Sequence, residues 1–194
     1  MGTPVLGAAE PQPHLKLGES MLISDKMAAA INTQIGNEFG ACIQYVSIAA
    51  YFGTENLPEL SKHFHKQAME EKDHALRFVN YVVDAGARVV VPAIPAPKSG
   101  FKSAEEAVQL SLDWEETVTK QISGLVDLAI KENDHITRNF LQWFVNEQLE
   151  EVSSMDQLLS IVRRAGENGL LFVEDYLARR GSIAVPSAGG GDAT

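Results

Sequence analysis

Glu71 and His74, in the stretch MEEKDHALRF, stand one helical turn apart, so a helix carries a carboxylate and an imidazole on one face. Such a pair can offer oxygen and nitrogen to a divalent cation. Alone it is a weak signal, because a solvated polar face uses the same residues. Three more glutamates change its weight. With each helix laid out at alternating three- and four-residue steps, Glu38 interrupts the run Ile31, Ile35, Cys42, Tyr45. Glu115 interrupts Val108, Ser111, Val118, and Glu151 interrupts Phe144, Gln148, Met155. Glu71 and His74 interrupt Leu60, Phe64, Gln67, Phe78 in the same way.

Each interruption falls near the middle of its helix, so four antiparallel or parallel helices bring all four to one height. Several carboxylates left together in a dry core cost several kcal/mol per ion without compensation. No Lys or Arg occupies the neighbouring seam positions, which leaves cations as the compensation. Glu38, Glu71, Glu115 and Glu151 supply four negative charges when ionised, matching two divalent ions, and His74 adds a nitrogen ligand. Carboxylates with one imidazole and no thiolate suit iron or manganese and argue against a structural zinc site.

The elements that must hold these residues are legible in the punctuation. A first helix begins at SDKMAAAINTQ, with Ser24 or Asp25 as its cap, and GTENLP breaks it. A second runs from about Pro58 to Asp84 and stops at AGA. RVVVPAIPAPKSGFK carries three prolines and cannot be helical throughout. Its three valines would suit a strand, but the chain offers no partner strand. Ser103 and Glu106 form a capping box for a third helix to about Lys131. The turn ENDH leads to a fourth helix, 135–165, closed by Gly166, and GLLFVEDYLARR is a short amphipathic fifth. The expected fold is all-α: a four-helix bundle with a long crossover between the second and third helices and a short C-terminal helix. About 17 extended residues reach roughly 55 Å, while a 28-residue helix is roughly 42 Å long. The crossover can therefore run the length of the bundle, and the short loops elsewhere imply antiparallel neighbours. Residues 1–22 read as a flexible extension, 23–180 as the folded domain, and 181–194 as a low-complexity tail.

Composition narrows the function. The 194 residues are 45% hydrophobic and 22% charged with net charge −10, which suits one globular domain and argues against nucleic acid as a partner. No segment has the apolar length of a membrane span, and the N-terminus lacks a signal-peptide pattern. Cys42 is the only cysteine, so no intramolecular disulfide forms, and a cytoplasmic location is expected.

The blocks NEFGACIQY, MEEKDHA, the Glu of DWEETVTKQI, and FLQWFVNEQLEEV resemble the ferritin family, specifically the haem-free bacterial ferritins. The resemblance covers about residues 24–180 and implies a ferritin-like di-iron bundle. It also implies a homo-oligomeric shell of 24 subunits that oxidises Fe(II) with O2 or H2O2 and stores ferric mineral. Carried over by residue, Glu38, Glu71 and His74 are implied to hold the first iron. Glu71 would bridge to a second iron held also by Glu115 and Glu151. Gln148 matches a position on the dioxygen side, Tyr45 and Trp143 match aromatics that supply or relay electrons, and Glu70, Glu147 and Glu150 match a third iron position.

Two positions separate the chain from bacterioferritin, in which the haem-binding Met directly follows the first motif's Glu. Lys72 stands there, and the second Glu-x-x-His motif is replaced by Gln148 and Glu151. No haem is expected. Oxygenase or reductase chemistry in the same bundle would want that second motif, and a structural iron-binding shell without oxidase activity would be expected to have lost ligands.

Overall fold

The computed structural model describes residues 21–182, so most of the 1–22 extension and of the 181–194 tail lies outside the described residues. The described chain is all-α, with the helices α1 (Asp25–Thr54), α2 (Pro58–Asp84), α3 (Ala104–Lys131), α4 (His135–Ala165) and α5 (Leu170–Ser182). A single 3-10 turn, Glu167–Gly169, precedes α5. Among these residues no helix is long and apolar enough to cross a membrane.

The helix ends lie where the punctuation puts them. Ser24, Ser103 and Asp134 cap α1, α3 and α4 by accepting from Met27, Glu106 and Thr137 backbone N–H groups. The box at Ser103 is half formed, because the Glu106 carboxylate reaches Lys102 N–H at 2.6 Å, one residue before the cap. Asn56, Gly86, Asn133 and Gly166 follow the four long helices at positive φ, a conformation that asparagine and glycine tolerate best.

α2 has no capping side chain of its own, since Leu57 sits at its N-cap. The cap comes from α5: the Glu174 carboxylate accepts from Glu59 N–H at 2.7 Å and Leu60 N–H at 2.9 Å. The short fifth helix thus finds a partner inside its own chain, burying Leu170 and Val173 while Leu171 and Phe172 stay 75% and 78% exposed. Glu174→Ala is expected to cost about 1–2 kcal/mol, the worth of a cap together with its favourable charge at a helix start. Chemical denaturation reads the loss, and amide exchange should locate it in the first turn of α2.

The crossover, residues 85–103, contains no strand, and side chains of α1 hydrogen-bond its backbone at two points. Asn32 donates to Arg88 C=O at 2.9 Å and accepts from Val90 N–H at 3.0 Å. Gln44 does the same for Lys98, at 2.9 and 2.8 Å. Two side-chain amides of α1 therefore replace the missing partner strand for the segment that holds the three valines. The crossover climbs along α1, so α3 starts at the end opposite to where α2 stopped. At Gly36 the approach is so close that a Cβ would overlap the Pro92 ring. Gly36→Ala is expected to destabilise by about 1–3 kcal/mol, because a proline ring cannot swing aside as a flexible side chain does. Unchanged stability in a denaturant titration would refute the close approach.

The core has two parts. One apolar cluster gathers Tyr45, Ile48, Phe52, Leu60, Phe64 and Leu158 with their neighbours. The other gathers Ile31, Ile35, Phe78, Val118, Leu141 and Phe144 with theirs. Between them lies a layer of buried polar side chains.

Candidate metal centre

Each long helix crosses that layer once and leaves an acidic residue in it. Glu38, Glu71 and Glu115 are at most 1% exposed, His74 5% and Glu151 9%. The seam period explains this: each residue lies one turn from apolar positions that the core must bury, so the carboxylate is carried in with them.

Three glutamines hold three of the four carboxylates. Gln34 donates to Glu38 at 2.9 Å and Gln67 to Glu151 at 2.8 Å. Gln148 accepts from Thr119 at 2.8 Å and turns its own amide toward Glu115, which also accepts from the Tyr45 phenol. Glu71 has no such amide. Its neighbours are other members of the cluster: Glu38, with a ligand atom within 4.8 Å, and His74, whose Nδ1 lies 3.5 Å from Oε2.

Burial, then the Glu71 charge, pushes the Glu38 carboxyl well above its ordinary range. Burial, then Glu115, does the same to Glu71, and burial raises Glu115 against the opposing Tyr45 and Gln148 hydrogen bonds. Glu151 is raised by burial, then by Glu115 and Glu70, to about 7. The metal-free layer is therefore short of positive charge. Glu38 Oε2, Glu71 Oε1 and Glu115 Oε2 are buried with no hydrogen-bond partner, the state a cation relieves. Nearby cations are otherwise engaged: Lys72 pairs with Asp73 at 3.1 Å, and Arg77 lies 4.0 Å over the Trp143 ring.

Two groups come within coordination reach. Ligand atoms of Glu38, Glu71 and His74 lie within 4.8 Å of one another, and so do those of His74, Glu147 and Glu151. His74 belongs to both. Glu115 stays outside both groups, drawn toward Tyr45 and Gln148. Glu147, expected at a third position with Glu70 and Glu150, stands closer to the centre than that. Its carboxyl is raised by burial, with His74 and then Arg77 opposing and Glu150 and Glu70 adding. Glu70 also pairs with Lys66 at 3.0 Å, and Glu150 is exposed. A surface cleft of about 570 Å³ between α2 and α4 is lined by Glu70, Asp73, His74, Arg77, Trp143 and Glu147 among others. Gln34 was not singled out by sequence; its place four residues before Glu38 on the same helix was the available signal.

The ferritin-like domain family matches residues 28–165. Ferritin BfrB of Mycolicibacterium smegmatis is 43% identical over 174 residues, covering 87% of this chain and 96% of that protein. A Mycobacterium tuberculosis relative named bacterioferritin BfrB is also 43% identical, over 165 residues, 85% of this chain and 90% of its own. A bacterial non-heme ferritin of Staphylococcus aureus is 34% identical over 161 residues, 82% of this chain and 97% of its own. Among solved structures, an open pore ferritin from Archaeoglobus fulgidus superposes with a TM-score of 0.79 at 37% identity, over 82% of this chain and 98% of its own.

Proposed function

Because the chain belongs to the ferritin family, we propose that it stores iron and oxidises Fe(II) at the glutamate and histidine layer of its bundle. The observation that carries this is the set of unpaired buried oxygens on Glu38, Glu71 and Glu115, the first two within ligand reach of His74. Hard carboxylate oxygens with one imidazole fit Fe(II) as substrate.

In this reading Glu38 and His74 hold one iron, Glu115 and Glu151 the other, and Glu71 touches both. Each Fe(II) gives up one electron, and O2 takes the two with two protons to leave as H2O2, which can serve as oxidant in its turn. The chain's own part is geometry. Gln34, Gln67 and Gln148 aim three carboxylates, while Glu71, free of such a clamp, can span the pair. Tyr45 fixes Glu115 through its phenol, and Tyr45 and Trp143 supply or relay further electrons. Glu70, Glu147 and Glu150 hold a third iron, with Glu147 passing it between the cleft and His74.

The exposed Leu149, Leu171 and Phe172 want burial, which supports self-association, and membership of the ferritin family extends this to a closed shell of 24 subunits with mineral inside. A single cysteine suits a reducing, cytoplasmic setting. One experiment tests the reading: oxygen uptake on adding Fe(II) to purified apoprotein, with light scattering on the same sample. Uptake of O2 by a large closed particle is expected, and a monomer or dimer that consumes none sinks the proposal.

The relative named bacterioferritin favours a second reading, a haem-containing store. Lys72 stands where the axial Met would be and pairs with Asp73, which supports the haem-free assignment. Hemin added at one per two subunits should therefore produce no Soret spectrum of a six-coordinate bis-thioether haem.

A further inference from the structure

An aromatic file leaves the centre along α4 and ends on a phenol that the reaction above does not use. Trp143 meets His74 edge-on with centroids 5.4 Å apart, and Phe144 lies 4.8 Å from Trp143. Phe140 lies 5.5 Å from Phe144 and stacks on Tyr81 at 3.9 Å, 12° from parallel. The Tyr81 hydroxyl is 2.6 Å from Thr137 Oγ1, and Thr137 Oγ1 donates to the Asp134 carboxylate. A threonine hydroxyl has one proton, already given to Asp134, so Tyr81 is the donor in the first bond. The phenol therefore sits on a two-step path from its oxygen to an acid.

We propose that Tyr81 is a reserve electron donor to the iron centre, reached through Trp143, Phe144 and Phe140 and relieved of its proton through Thr137 to Asp134. The proposal rests on the ferroxidase reading and assigns it a safeguard. Its occasion is H2O2 meeting a centre with only one Fe(II) left. The iron gives one electron and Tyr81 gives the second, while the phenolic proton passes through Thr137 to Asp134. With two protons from solvent at the centre, the O–O bond breaks and two waters form, leaving Fe(III), a protonated Asp134 and a neutral tyrosyl radical. No hydroxyl radical is released into the bundle.

Arg77 gives the file its direction. A guanidinium 4.0 Å from the indole stabilises the neutral ring by cation–π attraction and makes a positive hole there costly. Only a strong oxidant draws on Trp143, and the hole moves on to Tyr81, where proton loss leaves no charge. Phe144 and Phe140 are too hard to oxidise to hold it and together bridge Trp143 to Tyr81. Burial holds the Tyr81 phenol above its ordinary value, so it is protonated at neutral pH. A purely structural Tyr81 would anchor the start of α4 through Thr137 and carry no radical.

Pulse radiolysis of the assembled, metal-free protein separates these. In a Trp114→Phe background, Trp143 is the remaining indole of the two, and azide radicals oxidise it directly. The tryptophanyl absorption is expected to decay as tyrosyl absorption grows. Tyr81→Phe should abolish that growth, Asp134→Asn should slow it at least about tenfold, and Tyr51→Phe should leave it intact. Growth that survives Tyr81→Phe, or none in the parent, overturns the relay. Freeze-quench electron paramagnetic resonance after adding H2O2 to one Fe(II) per subunit reads the donor role. A tyrosyl signal lost in Tyr81→Phe supports it, and a working relay with no such signal overturns it. Should the parent oxidise no iron at all, the ferroxidase reading fails and takes the donor role with it, while radiolysis still decides the relay.

Discussion

Glu71→Ala is expected to slow the first oxidation of two Fe(II) per subunit by about 100-fold or more. The size follows from where Glu71 stands. Glu38, Glu115 and Glu151 are each held by a glutamine amide, whereas Glu71 contacts Glu38 and His74 and keeps Oε1 unpaired. Without it the two irons lose their common ligand, and a pair set wrongly by even about 1 Å can lose two orders of magnitude in rate. The variant should still fold, because it removes a buried charge from a repulsive cluster and substitutes the best helix former. Glu150→Ala, at an exposed position, should leave the first turnover alone and change only later stoichiometry. Stopped-flow mixing at two Fe(II) per subunit, with circular dichroism and particle size as controls, decides the matter. An assembled Glu71→Ala protein that oxidises the first pair at the parent rate removes the bridging role.

The parts of the molecule that sequence could reach are those set within one helix. Seam residues at heptad-like steps, a serine before the first apolar residue and a glycine or asparagine after the last act locally, so α2 and α4 run between the expected residues. The four seam glutamates are buried for the same reason. What escaped was set by contacts between distant segments. Glu174 caps α2 from 114 and 115 residues away. Asn32 and Gln44, polar residues on α1 with no evident task, hydrogen-bond the crossover backbone at Arg88, Val90 and Lys98. Glu147 also illustrates the limit. A period places it on the face of Glu151, but only the rotation of α4 against α2 decides that its carboxylate reaches His74.

Metal-free protein and metal-loaded protein should respond to pH with opposite sign. In the metal-free fold, burial lifts Glu38, Glu71, Glu115 and Glu151 above their unfolded values. A carboxyl with a raised folded value contributes stability that is fully present below its unfolded value and is lost as pH rises through the folded one. For Glu151 that window runs from about 4.5 to about 7, which at about 1.4 kcal/mol per pH unit amounts to roughly 3 kcal/mol. Denaturant titrations in chelator should therefore show stability falling between pH 5 and pH 8, and Glu151→Gln should flatten the fall by about that amount. A bound divalent ion reverses the slope, because it needs the carboxylates deprotonated and releases their protons on binding. With Zn(II) or Co(II) as a redox-silent probe at about 1,000 times its dissociation constant, the fold should gain about 4 kcal/mol, and more at pH 8 than at pH 6. A metal-free protein whose stability rises across this range would mean that the four carboxylates already have partners, and the layer would then have no call for a cation.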